Sequence, residues 1–155
     1  MKETLDMNTN QDSKHMTQED KELVLIDLSA RLPYRVMVHI RYNTEEPCYG
    51  ELTPKDIQWF IDSKIKEIKP YLRPMSSMTE EEKHYIRHHF CPEYYFDVDL
   101  QGNISDNDGS YIYEIELSKM AGYIDYLNKH HFDYRGLIEK GLAIAVTKDN
   151  NPYES

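Results

Sequence analysis

The sequence predicts an α+β domain, in which an antiparallel sheet of three to five strands is packed by two or three helices. Several runs of residues alternate apolar and polar side chains one by one, as half-buried strands do. Others repeat their apolar residues every three or four positions, as helices do. A length of 155 residues suits a single domain. We expect residues 1–17 to form a disordered polar tail, 18–147 the domain and 148–155 a frayed C-terminal tail.

Capping and turn residues mark the first helix and the first two strands. Thr17 can cap a helix that Pro33 then ends. Residues 35–42 alternate strictly and predict a half-buried strand, and 48–53 predict the strand that returns after a turn. The residues expected to face the core from the first strand are Val36, Val38, Ile40 and Tyr42.

A second helix is predicted after Thr53, because a capping residue is followed there by Pro54 at the first helical position. Helical spacing of apolar residues continues to Ile68, yet residues 57–61 suit a strand equally well, and the sequence leaves that choice open. A third helix is predicted after Thr79, since three consecutive glutamates follow it where the helix dipole favours negative charge.

A hairpin and a further helix follow. Residues 94–101 and 111–117 both alternate, and a loop rich in Gly, Asn and Asp at 101–109 joins them. Ser118 can cap the next helix, predicted over 119–132.

Composition excludes several classes of function. Lys and Arg number 18 and Asp and Glu 28, so the net charge is −10, which argues against general nucleic-acid binding because phosphate must be neutralised by bases. No run approaches the roughly 20 apolar residues that span a bilayer. Two cysteines, Cys48 and Cys91, make no disulfide framework, and the N-terminus lacks an apolar signal region, so we expect a cytoplasmic protein. No cofactor motif is found, and we expect no cofactor.

The acidity is concentrated in one part of the chain. Residues 92–118, called the acidic segment below, contain seven acidic residues and no Lys or Arg. Residues 31–73 have eight bases against six acids. The protein is therefore expected to have an acidic side and a mildly basic side. The seven acids are Glu93, Asp97, Asp99, Asp106, Asp108, Glu114 and Glu116.

The predicted hairpin is the main candidate binding surface. Its alternation places four carboxylates on one face, where like charges opposite each other are unfavourable without a cation or a basic partner. Three explanations are open: internal pairing with Arg35 and Arg41, a partner protein with a basic surface, or a divalent metal. The candidate partner-binding residues are Asp97, Asp99, Glu114 and Glu116, with Tyr95 as an aromatic anchor.

A second candidate site lies on the third helix. His84, His88 and Cys91 are spaced at i, i+4 and i+7, so they share a helix face and could ligate zinc. Ordinary surface histidines on a polar helix face explain the same spacing, and no HExxH motif or second cysteine pair accompanies them.

A basic strip on the first strand is a third, weaker feature. Arg35, His39 and Arg41 share its polar face and could contact nucleic acid. The sequence indicates no interleaved aromatic platform on that face, which is what single-stranded nucleic acid would need.

Two segments, KPYLRPMSSMTEEEK at 69–83 and YLNKHHFDYRGLIEKGLA at 126–143, resemble a family of small uncharacterised proteins of Bacteroides-type gut bacteria and their phages and mobile elements. The resemblance implies a cytoplasmic accessory protein, with no activity to transfer. In the second segment, Arg135 is expected to satisfy Asp133 or the carbonyls at a helix end.

From these observations we expect a non-enzymatic protein-interaction module that binds and modulates a host protein, as an inhibitor does, through the acidic hairpin. The alternatives are a metal-dependent enzyme that uses the His/Cys or carboxylate cluster, and self-assembly of the acidic hairpin on the basic region 31–73 of another copy.

Overall fold

The computed structural model describes residues 16–43, 46–90, 96–98, 104–106 and 117–154, with the backbone alone at 96–98, 104–106 and 117. The predicted disordered tail lies outside these residues, except for Met16 and Thr17. The described strands are β1 (Met37–Tyr42), β2 (Cys48–Glu51), β3 (Ile65–Leu72), β4 (Phe96–Val98), β5 (Ile104–Asp106) and β6 (Ile144–Ala145). The described helices are α1 (Gln18–Arg31), α2 (Pro54–Ile61), α3 (Glu80–Phe90) and α4 (Leu117–Lys129).

The main sheet has four strands in the order β2-β1-β3-β6. β1 lies between β2 and β3 and is antiparallel to both. β6 pairs in parallel with β3, through Tyr71 opposite Ile144 and Leu72 opposite Ala145. The predicted α+β class is confirmed, and the parallel pairing of β6 makes the sheet mixed rather than purely antiparallel.

The core covers one face of this sheet. Of the residues predicted to face the core from the first strand, Val36 and Val38 are fully buried, Ile40 is 5% exposed and Tyr42 is partly buried. Val24 and Leu28 of α1 and Phe60 of α2 pack against them. A second apolar cluster lies between α3 and α4 and contains Met75, Met78, Ile86, Tyr123, Leu127 and Phe132. The other face of the sheet is polar.

The ambiguous stretch 57–61 is helical. Thr53 and Asp56 form a reciprocal capping box, and Asp56 is buried beneath the first turn. The helix ends at Ile61, so its predicted continuation to Ile68 is wrong: Ser63 adopts a left-handed φ of 61° and the chain turns into β3. Ile68 is fully buried opposite Ile40 in the sheet, a long-range pairing that helical spacing does not reveal.

The hairpin in the acidic segment is built from different residues than the sequence predicts. β4 pairs antiparallel with β5, with Phe96 opposite Asp106 and Val98 opposite Ile104. The placement of 104–106 in a loop is therefore wrong; Ile104 is β-branched and suits a strand. The predicted second strand at 111–117 lies outside the described residues, except for Leu117, which begins α4.

Helix α4 ends earlier than predicted, in a Schellman turn after Lys129. The amide of Phe132 donates to the carbonyl of Leu127 at 2.9 Å, and that of His131 donates to the carbonyl of Asn128 at 3.1 Å. His131 has a φ of 65°, in the left-handed region that glycine usually occupies at this position.

The C-terminal segment is fastened to the sheet by Tyr153, contrary to the predicted frayed tail. Its hydroxyl accepts from the amide of Met37 at 3.0 Å and donates to the carbonyl of Tyr71 at 2.7 Å. Its ring stacks on His131 with 3.8 Å between centroids. One phenol thus bridges β1 and β3 and covers the left-handed residue that ends α4.

The substitution Tyr153→Phe is expected to lower the free energy of unfolding by about 1–3 kcal/mol, because a backbone donor and a backbone acceptor lose their partner while the ring stays. Equilibrium urea denaturation measures the change. The matched control is Tyr49→Phe, since Tyr49 is 65% exposed and no change beyond about 0.5 kcal/mol is expected there. Equal stability of the Tyr153→Phe variant and the wild type would show that water replaces the hydroxyl.

Candidate functional site

The acidic segment begins beside α3. Of the predicted partner-binding residues, Asp97 lies in β4 opposite Ser105, and β4 contacts α3. The other four, Tyr95, Asp99, Glu114 and Glu116, lie outside the described residues. The described backbone therefore places strand β4 of the acidic segment next to the third helix.

Internal pairing was one explanation for the hairpin carboxylates, through two arginines near β1. Both arginines have partners within the main sheet. The Nε atom of Arg35 lies 3.0 Å from a carboxylate oxygen of Glu51, and that of Arg41 lies 4.0 Å from one of Glu67. These contacts give both guanidinium groups a carboxylate neighbour without the hairpin.

An open groove of about 520 Å³ follows the exposed face of α3. Glu80 and Glu81 come from the first turn of the helix, where their charge also favours the helix dipole. The side chain of Glu80 is 84% exposed and lies 3.5 Å from the Lys83 ammonium group. The groove is lined by Glu80, Glu81, His84, Tyr85, His88 and His89. It thus combines carboxylates at one end with rings along its length.

The rings of the groove belong to a stacked column that joins α3 to α4. His89 stacks on Tyr85 with 3.7 Å between centroids, Tyr85 on Tyr126 at 4.9 Å, and His130 lies 4.3 Å from Tyr126. Burial raises the pKa of Tyr126 to about 12 and lowers the pKa of His130. Both rings are therefore neutral at pH 7, and the formal negative charge of the groove comes from its glutamates.

The predicted metal ligands His84 and His88 both line this groove. Their rings stack with 5.8 Å between centroids and 18° between planes. Cys91 lies outside the described residues. Among the residues that the structure describes, no group of three or more His, Cys, Asp or Glu side chains is arranged to hold a metal ion.

The two segments that carry the family resemblance dock on each other. The guanidinium of Arg73 lies 4.0 Å from the ring centroid of Phe132 and binds both carboxylate oxygens of Glu82 at 2.8 Å. Glu82 in turn accepts from the Thr79 amide and caps α3, which confirms the predicted helix start. Burial alone would raise the pKa of Glu82, but the hydrogen bonds from Arg73 and Thr79, together with the positive charge of Arg73, outweigh it and the pKa is lowered.

Two arginines converge on a carboxylate that is completely buried. Asp27 and Arg31 of α1 are both 0% exposed and form an ion pair of 2.8 Å. Arg31 also donates to the Phe132 carbonyl at 2.6 Å, and Arg135 donates to Asp27 at 3.1 Å. Arg135 was predicted to satisfy Asp133 or helix-end carbonyls, but its guanidinium donates to Asp27 of α1 instead. Asp133 instead accepts from the amides of Leu137 and Ile138 at 2.9 Å.

The polar face of the main sheet joins the predicted basic strip to tyrosines that sequence reasoning missed. Tyr49 on β2 lies opposite His39 on β1, which lies opposite Lys69 on β3. Tyr49 also contacts Tyr71 edge to face, with 6.3 Å between centroids. The sequence indicated no interleaved aromatic platform on the face of the basic strip, whereas the structure places Tyr49 and Tyr71 on it. The alternation of β2 was the available signal, but the register that pairs Tyr49 with His39 is set by the fold.

Comparison of the chain with models of known protein families gives no match. Comparisons with curated proteins and with solved structures give none either. Within the described part of the chain, no helix has the length and apolar character needed to cross a membrane.

Proposed function

We propose that the protein is a non-enzymatic interaction module that binds a partner protein with a basic surface, through the acidic segment and the adjoining α3 groove. The observation that carries this proposal is that the groove and the acidic segment adjoin each other. The groove has Glu80 and Glu81 at the N-terminal end of α3. The C-terminal end of α3 leads into the acidic segment, which has seven acids and no bases and whose strand β4 contacts α3. Charge complementarity of this kind steers a basic partner to one side of the molecule.

The groove supports such binding chemically. A Lys or Arg side chain of the partner can lay its aliphatic part along the rings while its charge meets a glutamate. Tyr85 is 42% exposed and is held in place between His89 and Tyr126, so little side-chain entropy is lost when a partner covers it. A rigid aromatic anchor beside carboxylates is typical of an interface that recognises basic residues.

The family resemblance suggests the biological setting for this proposal. A phage or mobile-element accessory protein in the cytoplasm would use an acidic surface to cover a basic surface of a host protein. A host protein that binds nucleic acid has such a surface, since its affinity depends on Lys and Arg. The module would inhibit or modulate the host protein by occupying that surface.

Affinity capture from a lysate of the native host, followed by mass spectrometry, tests the proposal. The test variant, called the four-lysine variant below, changes Asp97, Asp99, Glu114 and Glu116 to lysine. We expect the amount of partner that it captures to fall at least about tenfold relative to the wild type. The matched control variant makes the same change of net charge on exposed acids elsewhere, at Glu22, Glu139, Asp149 and Glu154. It is expected to capture the partner as the wild type does.

The captured protein must also bind through basic residues. The complex of purified wild-type protein and partner is expected to dissociate as the salt concentration is raised, because salt screens the attraction between the exposed charges of the two proteins. Equal capture by the wild type and by the four-lysine test variant would overturn the proposal, as would capture that is insensitive to salt.

A further inference from the structure

The outer face of the sheet has a local excess of positive charge in a strongly acidic protein. Three basic side chains lie around the single carboxylate of Glu67: His39 at 3.8 Å, Lys69 at 3.6 Å and Arg41 at 4.0 Å. With His39 neutral, Arg41 and Lys69 still outnumber Glu67 by two charges to one. Arg35, 80% exposed in its side chain, is balanced by Glu51. The face is thus basic by about one charge, whereas the whole chain is −10.

Aromatic rings accompany these bases. Tyr49 is 65% exposed, and its ring meets that of Tyr71 across β1, the strand that separates their own strands. Exposed tyrosines supply large contact area at low entropic cost, and they stack well on other tyrosines. A ligand for this face should therefore be extended, acidic and rich in aromatic or apolar side chains.

We infer that this face binds the acidic segment of a second copy of the chain, so that two copies associate reciprocally. The acidic segment has the chemistry that the face requires: seven acids, no bases, and tyrosines at positions 94, 95, 111 and 113. This inference rests on the proposed function in one respect, since both assign binding to the same acidic segment. A second copy is favoured over nucleic acid because a face with a net charge of about one offers too few bases to neutralise a phosphate backbone.

Sedimentation velocity of the full chain tests the inference at about 0.01 M and about 1 M salt, where the Debye length is about 30 Å and about 3 Å. The wild type is expected to be dimeric at low salt and monomeric at high salt. The face variant, with Arg41→Glu and Lys69→Glu, is expected to stay monomeric at both. The matched control, Lys140→Glu with Lys148→Glu, changes exposed lysines elsewhere and should dimerise as the wild type does.

Charge exchange between two variants gives a sharper result. The face variant and the four-lysine variant are each expected to be monomeric, because each presents like charges on both surfaces. Mixed in equal amounts, they pair a lysine-bearing segment with a glutamate-bearing face and should recover a salt-sensitive dimer. The variant Arg41→Gln with Lys69→Gln removes the same two charges with less risk of misfolding. Its dimer dissociation constant is expected to be at least about tenfold higher than that of the wild type.

Several results would overturn the inference. These are a wild type that is monomeric at low salt, a face variant that dimerises like the wild type, and a mixture that stays monomeric. Binding of a labelled single-stranded oligonucleotide to the face, without self-association, would assign the surface to nucleic acid instead. Failure here is distinguishable from failure of the proposed function, because the face variant keeps its acidic segment and should still capture the basic partner.

Discussion

Replacing Asp27 with alanine is expected to lower the free energy of unfolding by about 3–5 kcal/mol, the largest effect of any single substitution considered for this protein. Asp27 and Arg31 are both fully buried, and the carboxylate also accepts from Arg135. Without it, the Arg31 guanidinium keeps its hydrogen bond to the Phe132 carbonyl and its contact with the Tyr134 ring, but it is left buried without its carboxylate counter-charge. Since domains are stable by about 5–15 kcal/mol, this loss is a large share of the total and should shift the urea midpoint clearly downward.

Urea denaturation of two variants separates charge from packing. Asp27→Leu combined with Arg31→Met removes both charges and keeps apolar volume, so it should cost much less than Asp27→Ala alone. A loss below about 1 kcal/mol for Asp27→Ala would contradict the assignment of this pair as a buried structural ion pair. Arg135→Met should have an intermediate effect, because its side chain is 23% exposed and water can reach it.

The buried pair also shows where local sequence patterns stop being informative. Thr17, the alternation of β1 and the Thr53–Pro54 start of α2 are signals within a few residues, and the structure confirms each of them. Asp27 and Arg31 are spaced like an ordinary exposed i, i+4 pair on a helix. Their burial depends on Arg135 and Phe132, more than 100 residues away in the chain.

The prediction for the stretch that forms β3 was wrong for the same reason. The apolar spacing up to Ile68 fits a helix, and it is the pairing with β1 that makes these residues a strand. Pro70 lies opposite Val38 inside the sheet, although proline has no amide to donate to a ladder. The partner strand and the left-handed turn at Ser63 set this element, and neither is visible in a short window of sequence.

The candidate surfaces differ in how far sequence could find them. The acidic segment is a matter of composition, so counting charges is enough to locate it. The α3 groove needs the contact between Tyr85 and Tyr126, and the outer sheet face needs the register that sets Tyr49 beside His39. One chain therefore has a basic, tyrosine-bearing sheet face and an acidic segment, and the two proposals predict that self-association and capture of a basic partner compete for the same carboxylates.

His131 makes the protein sensitive to mild acid. Burial lowers its pKa to about 4, and the nearby positive charges of Arg31, His130 and Arg73 act in the same direction. Its Nδ1 atom is buried without a hydrogen-bond partner, and its ring is covered by Tyr153. The ring is held neutral because a proton there would be both desolvated and repelled.

Stability should therefore be lost between about pH 6.5 and pH 4, because the unfolded chain takes up a proton at His131 in that window and the folded chain does not. Above pH 6.5 the ring is neutral in both states and the contribution is fully present; by pH 4 the loss reaches about 3 kcal/mol at most. Urea midpoints across this range measure it. The control is His131→Asn, which tolerates the left-handed conformation but cannot titrate. Carboxylates and His130 titrate in both proteins, so the difference between the two slopes isolates His131, and parallel slopes would contradict the prediction.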